Sequence, residues 1–251
     1  MKTSWLDLFF PHRCVGCAQL MEDTEVLFCL HCREGTYPIS SPICPVCGDP
    51  LGVASPRDSW CGDCLKSRPP FRLSRSLFLY GGGVRDAVHR LKYRKGENVA
   101  PALAAAMKKF LLKGGMGSFD VIVPIPLHPR RLRERRFNPS QLLARGISKG
   151  LGIPCESHFL QRIRATLPQV ELPRRQRLQN VKGAFKVVKK GSFSRKRILL
   201  IDDVWTTGAT SEACARALRQ GGATSVDVLT FARTAPYLLT PVGRGDGRHH
   251  H

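Results

Sequence analysis

From about residue 70 onward the chain alternates two kinds of apolar pattern. Short continuous apolar runs bounded by turn-forming residues predict strands over 76–80 ("SLFLY"), 120–123 ("DVIV"), 185–188, 197–201 and 225–231. Between them, apolar residues recur at helical spacing. The segment 84–93 places Val84, Val88 and Leu91 on one face, and 97–112 is rich in Ala and ends before Gly114-Gly115. Two further helices are predicted over 139–151 and 210–220, the last stopped by Gly221-Gly222. The stretch 124–138, dense in Pro and Arg, reads as a loop. Strands alternating with helices predict an α/β fold, a mainly parallel sheet with crossover helices.

Before residue 70 this pattern is missing. Apolar content is thin, Pro and Gly are frequent, and "KSRPPF" over 66–71 reads as a linker. The expected organisation is a small module over 1–68, an α/β domain over 72–235, and a tail over 236–251 whose last histidines are either native or part of a tag. A length of 251 residues accommodates that arrangement.

The small module carries the clearest chemical signal. Of ten cysteines, eight fall in four C-x-x-C pairs: Cys14/Cys17, Cys29/Cys32, Cys44/Cys47 and Cys61/Cys64. A C-x-x-C turn aims two thiolates at one tetrahedral metal, and two turns complete a four-thiolate zinc site. Two structural Zn²⁺ sites are expected, supplying the folding energy that a thin apolar core cannot. Sequential pairing and a cross-braced pairing of the first turn with the third both fit the spacing. Cys155 and Cys214 stand alone and read as small core residues.

Charge changes the picture next. Forty Lys and Arg against nineteen Asp and Glu leave a formal +21, which points to a polyanionic partner. No run approaches the ~18 apolar residues of a membrane span. The opening "MKTSWLDLFFPHRC" is too short and, at Asp7, too acidic for a secretory signal, so a cytoplasmic protein is expected.

The candidate site lies in "ILLIDDVWTTGAT", residues 198–210. Ligands of parallel α/β sheets bind beyond the carboxyl ends of strands. Asp202 and Asp203 are expected there, facing solvent or ligand, as carboxylates that accept hydrogen bonds from vicinal sugar hydroxyls. The residues Thr206, Thr207, Gly208, Ala209 and Thr210 lead into a helix N-terminus, whose free N–H groups and hydroxyls suit an anion. Diol-binding acids beside a phosphate cradle describe a site for a ribose 5-phosphate.

This stretch resembles the phosphoribosyl pyrophosphate (PRPP) motif of type I phosphoribosyltransferases. That likeness implies ribose contacts for Asp202 and Asp203 and 5-phosphate contacts for residues 206–210. "FFPHRCVGC", "LKYRKGE", "VPIPLHPRRLRERRFNPSQLLA" and "LPQVELPRRQRLQNVKGAF" resemble the ComF competence family, so that the likeness spans roughly residues 9–233. It implies a type I phosphoribosyltransferase-like domain behind a double zinc ribbon. Arg130, Arg131, Arg133, Arg135 and Arg136 then suit a pyrophosphate or a nucleic-acid backbone. The segment 162–181 would close over PRPP, with Arg164, Arg174, Arg175 and Arg177 neutralising a leaving pyrophosphate. The position that holds an Asp in purine-salvage members is Thr206 here, which leaves no general base for a purine ring.

Two functions follow. One is phosphoribosyl transfer from Mg²⁺-PRPP to a nitrogen acceptor, without an assignable catalytic acid or base. The other is an accessory protein for single-stranded DNA during DNA uptake, working with other uptake proteins and with PRPP as a regulator or no ligand. Aromatic residues available to stack bases are few and scattered (Trp5, Trp60, Phe71, Tyr80, Tyr93), which predicts mostly electrostatic, salt-sensitive binding.

Overall fold

A computed structural model of the chain describes residues 12–23, 26–56, 58–93, 96–164 and 180–235. Four strands form one sheet: β1 (Leu73–Leu79), β2 (Val121–Pro124), β5 (Arg197–Trp205) and β6 (Ser225–Arg233), in the order β1-β6-β5-β2. All three pairings are parallel, as the alternation of strands and helices requires. β3 (Leu160–Arg162) and β4 (Phe185–Val187) form a separate antiparallel pair. The run at 185–188 is therefore a strand, but not one of the main sheet. Its partner β3 was not anticipated, because three residues carry no readable alternation.

The sheet is covered on both faces, as its continuous apolar runs demand. Ile198 and Leu200 of β5 face one side, packed with Cys214, Ala215 and Leu218 of the helix Ala209–Gln220. Leu199 and Ile201 face the other, with the helices Gly82–Tyr93, Gly96–Phe110 and Pro139–Leu151. In chain order the helices lying wholly within the described residues are α1 (Leu30–Glu34), α2 (Gly62–Lys66), α3 (Gly82–Tyr93), α4 (Gly96–Phe110), α5 (Pro129–Arg135), α6 (Pro139–Leu151) and α7 (Ala209–Gln220). A π-helical turn, Leu111–Gly115, follows α4. Among the described residues no helix is long and apolar enough to cross a membrane.

Two expectations need correction. The stretch 124–138 is not all loop: α5 lies within it, started by Pro129 and capped by the His128 side chain, which accepts from the Arg130 N–H. Its sequence, "PRRLRER", has no apolar stripe, so periodicity could not reveal it. The strand expected over 197–201 runs on to Trp205, so both acids lie inside β5 and not beyond it.

The cysteine-rich segment is packed against the sheet. Residues 37–39 run antiparallel to β1, with Ile39 N–H donating to Leu77 O at 2.9 Å and Leu79 N–H to Tyr37 O at 2.8 Å. The cysteines before this crossing join the core on the α3 side: Arg90 of α3 donates to the carbonyls of Cys14 and Val15. Those after it join the α7 side, where Ser74 N–H donates to Val46 O at 2.7 Å. Gly48, in the "CPVCG" turn, has φ +69° and lies so near Ser74 O that a side chain would not fit.

Candidate functional site

β5 delivers Asp202 and Asp203 to the end of the sheet, where pleating sends their side chains to opposite faces. Each acid has its own partner. Ser140, in the first turn of α6, donates from Oγ to Asp202 Oδ1 at 2.8 Å. Its position is set by Asn138, which caps α6 by accepting from Ser140 N–H and donates to Ile125 O at 2.9 Å. On the other face, Lys92 of α3 places Nζ 2.8 Å from Asp203 Oδ2, and Asp203 Oδ1 accepts from Val204 N–H.

These surroundings drive the two carboxyls apart. Burial pushes Asp202 up to about 7, with the neighbouring Asp203 charge adding to it and the Ser140 hydroxyl working against it. Burial also opposes the charge of Asp203, but the Lys92 ammonium outweighs it and holds Asp203 below the ordinary carboxylate value. Lys92 itself is disfavoured by burial, and Asp203 restores it to above its usual value. The pair is an ionised Lys–Asp contact beside a carboxyl that titrates near neutrality. The expectation that both acids face solvent or a ligand holds in part: Asp202 is half-buried, whereas Asp203 is buried and paired.

Beyond Trp205 the chain turns sharply into α7. Gly208 caps the helix at φ +80°, and its missing side chain is what lets the Trp205 ring lie against it. Glu212 N–H closes the first turn on Gly208 O at 2.8 Å, leaving the preceding N–H groups aimed outward. Thr207 Oγ1 is buried without a hydrogen-bond partner among the described residues. Thr206 is exposed, Thr210 half-buried and Ala209 buried. An orphan hydroxyl at a 12-residue helix N-terminus fits an anion.

Trp205 connects this turn to the second cysteine cluster. It packs edge-on against Phe71, and the Arg233 guanidinium lies 4.9 Å from its ring centroid. Arg233, only 4% exposed, donates to Cys47 O at 2.6 Å and to Asp49 Oδ1 at 3.1 Å. One buried arginine thus touches both the cysteine knuckle and the tryptophan under the Gly208 turn.

The cysteines form two sets, Cys14/Cys17/Cys29/Cys32 and Cys44/Cys47/Cys61/Cys64, with the Sγ atoms of each set within 4.8 Å of one another. The pairing is sequential. Tetrahedral zinc with Zn–S near 2.3 Å places sulfurs about 3.8 Å apart. Cys17 and Cys29 Sγ are 3.7 Å apart, and Cys47 and Cys61 Sγ 3.4 Å. Burial raises every thiol of the second set that shifts upward, taking Cys47 to about 12, while backbone N–H groups from Cys61, Cys47 and Val46 outweigh burial at Cys44 and bring it to about 7. Four crowded thiols of this kind ionise together only with a cation among them. The residues fit structural zinc, with no ligand position left for chemistry.

The arginines divide. Arg131, Arg133 and Arg136 are exposed on or just after α5, and Arg130 is paired with Glu134 at 3.1 Å. Arg135 is stacked on Tyr93. Arg164 donates to the carbonyls of Asn180 and Lys182, which engages its guanidinium at the root of the 165–179 segment. Arg174, Arg175 and Arg177 lie outside the described residues. Lys92, Ser140, Arg162 and Arg233 were missed as site residues. Arg162 packs over Phe185, and the charges of Arg131 and Asp202 both reach it. Lys92 lay within "LKYRKGE" and Ser140 within "VPIPLHPRRLRERRFNPSQLLA", but neither was assigned a role there. The others come to the site through packing. Cys214 is fully buried and Cys155 half-buried, as lone core cysteines would be.

Comparison with known proteins agrees with the two cysteine sets. Residues 5–65 match the double zinc ribbon domain family. The chain is 35% identical over 196 residues to DNA utilization protein YhgH of Salmonella typhi, covering 76% of this chain and 84% of that one. It is 29% identical to Competence protein F of Haemophilus influenzae, covering 90% and 98%, and 30% identical to Competence protein ComFC of Bacillus subtilis, covering 82% and 84%. Among solved structures it is similar in part to the glutamine PRPP amidotransferase of B. subtilis (25% identity, TM-score 0.39, 57% of this chain and 30% of that one). A second partial likeness is to a purine phosphoribosyltransferase of Pyrococcus horikoshii (20% identity, TM-score 0.34, 53% and 70%).

Proposed function

The chain belongs to the ComF family of competence proteins, and from that premise we propose that it binds PRPP at the Asp202–Thr210 segment and serves in the uptake and use of DNA. One observation carries the ligand: two carboxylates, individually oriented by Ser140 and Lys92, stand immediately before a helix N-terminus with an orphan Thr207 hydroxyl. The ribose hydroxyls would donate to Asp202 and Asp203. The 5-phosphate would accept from the N–H groups at the start of α7 and from the Thr207 hydroxyl. Mg²⁺ would enter as the counter-ion of the pyrophosphate and keep most of its water ligands. Arg131 and Arg162, on the Asp202 side, would balance pyrophosphate charge.

Such a site supports phosphoribosyl transfer. A nitrogen lone pair forms the bond to the anomeric carbon as the carbon–oxygen bond breaks, and pyrophosphate leaves with that electron pair. The acceptor nitrogen's proton then passes to water or to the departed pyrophosphate; the protein's residues orient the sugar and stabilise the leaving charge, and none of the described residues is assigned to move a proton. The relatives' names, competence and DNA utilization, support a role with DNA; single-stranded DNA and other uptake proteins as partners, and a cytoplasmic setting, belong to the same proposal.

The test is calorimetric titration of PRPP with Mg²⁺ into the full chain and into an Asp202→Asn/Asp203→Asn variant whose fold is checked by circular dichroism. Binding by the first and none by the second is expected. A folded, zinc-loaded wild type that does not bind PRPP overturns the reading. Pyrophosphate release when amines and nucleobases are offered reports transfer separately.

A further inference from the structure

We infer that the exposed cluster of His89, Tyr93 and Arg135, continued by the cleft beside the first cysteine knuckle, is a docking track for single-stranded nucleic acid on which a base stacks. This deepens the DNA-partner reading and does not depend on PRPP binding.

Tyr93 is the last residue of α3 and is 59% exposed. It is nonetheless held in place. Arg135 of α5 donates from Nη2 to the Tyr93 hydroxyl at 3.1 Å, and its guanidinium lies 4.9 Å from the ring centroid. His89, one turn earlier on α3, has its ring 5.0 Å away at an interplanar angle of 40°. Two separate elements thus hold three flat π-bearing groups in one open cluster. Their side-chain freedom is already restricted before any ligand arrives, which favours binding.

The cluster continues along α3. His89 also lines an open cleft of about 330 Å³ together with Gly16, Cys17, Ala18, Asp86 and Arg90. At the opposite end Lys92, beside Tyr93, reaches the diacid site, and the charge of Arg135 is felt at Lys92. The exposed surface therefore runs from the first knuckle to the Tyr93 stack, while the neighbouring Lys92 turns inward to the buried Asp203.

Charge selects the occupant. The acids on these two helices are both paired, Asp86 with Arg85 at 3.2 Å and Glu134 with Arg130 at 3.1 Å. Arg131, Arg133 and Arg136 stay exposed around them, on a chain of formal charge +21. Aromatic faces beside a cationic groove bind single strands, whose bases present free faces and whose phosphates are in reach. A duplex has no free base face to offer, and a lone nucleobase calls for an enclosed pocket where this surface is open. The sequence alone suggested mostly electrostatic binding. The structure adds a stacking component at Tyr93.

The experiment measures fluorescence anisotropy of a labelled 20-nucleotide oligodeoxythymidine with the full-length, zinc-loaded protein across a salt series. Tyr93→Ala is expected to weaken binding about tenfold, the size of one lost base stack, while leaving the slope of log affinity against log salt unchanged. Tyr93→Phe should bind like wild type, and Arg135→Gln should weaken binding and reduce the slope by about one. Melting temperatures confirm that each variant is folded. Tyr93→Ala binding as tightly as wild type overturns the track, as does equal competition by a duplex of the same strand. No binding by wild type overturns both the track and the DNA-partner reading, whereas PRPP titration of the same preparations reports the diacid site independently.

Discussion

Arg233 makes a quantitative prediction, because its buried guanidinium joins three parts of the molecule. Methionine at this position keeps the volume and removes the fork. The lost bonds are one to the Cys47 carbonyl, one to the Asp49 carboxylate and a long one to Cys47 Sγ at 3.9 Å, and the Trp205 ring loses its cation. A hydrogen bond involving a charged group contributes about 1.5–3 kcal/mol, and a desolvated cation–π contact about 2 kcal/mol. The Asp49 side chain remains 23% exposed, so water can solvate it once the arginine is gone, and the penalty of an orphaned charge is reduced. These terms amount to about 5–8 kcal/mol gross; with Asp49 hydrated and methionine filling the space, a net loss of about 3 kcal/mol is expected, equivalent to a Tm lower by about 6–12 °C for a chain of this size. The location of the damage matters more than its size. A chelator should strip zinc faster from the second site alone, and PRPP affinity should fall because Trp205 no longer braces the Gly208 turn. Scanning calorimetry and colorimetric zinc release measure both. Arg233→Lys keeps the charge but not the planar fork, and should not rescue. An Arg233→Met protein with wild-type Tm and wild-type release from both sites would refute the coupling of knuckle to turn.

Asp202 supplies a pH prediction with a definite sign. Its folded-state value, about 7, lies above the ordinary carboxyl value, so the folded chain holds a proton that the unfolded chain releases; stability falls as pH rises from about 4 through about 7. Asp202→Asn should therefore melt higher than wild type at pH 8 and lose that advantage at pH 4, read by thermal denaturation. Lys92→Met leaves Asp203 buried without its cation, and should cost about 2–4 kcal/mol in denaturant unfolding at pH 7, less than a fully buried break because Lys92 is 26% exposed. Elemental analysis should find two zinc ions per chain, with Cys14→Ser and Cys44→Ser each losing one; loss of both from either variant would contradict two separate four-cysteine sites.

Much of this was legible along the chain because it depends on local patterns. The four C-x-x-C pairs named the zinc ligands, since a metal needs thiolates at turn spacing whatever surrounds them. The apolar runs marked β5 and β6, and the 3.6-residue period marked α3, α4, α6 and α7, because burial on one face or two leaves a periodic trace. The acids before Thr-Thr-Gly marked the candidate site through residue chemistry, and the sugar-phosphate ligand is the one proposed for it. The short helix α5 and the β3–β4 pair left no such trace, one being uniformly basic and the other too brief to alternate.

What the linear chain could not express was which distant side chains meet. The partners of the diacid, Ser140 and Lys92, lie 62 and 111 positions from their acids, on helices whose periodicity explains their buried faces but not their neighbours. Arg233 reaches Cys47 across 186 positions, and Tyr93 meets Arg135 across 42. Sequential zinc pairing, open on spacing alone, was settled by the path of residues 37–39 along β1, which carries the two knuckles to opposite faces of the sheet. Local composition specifies elements and ligand types. The pKa separation of the two acids and the course of the basic track arise from long-range packing, because burial and charge proximity exist only once the chain has closed.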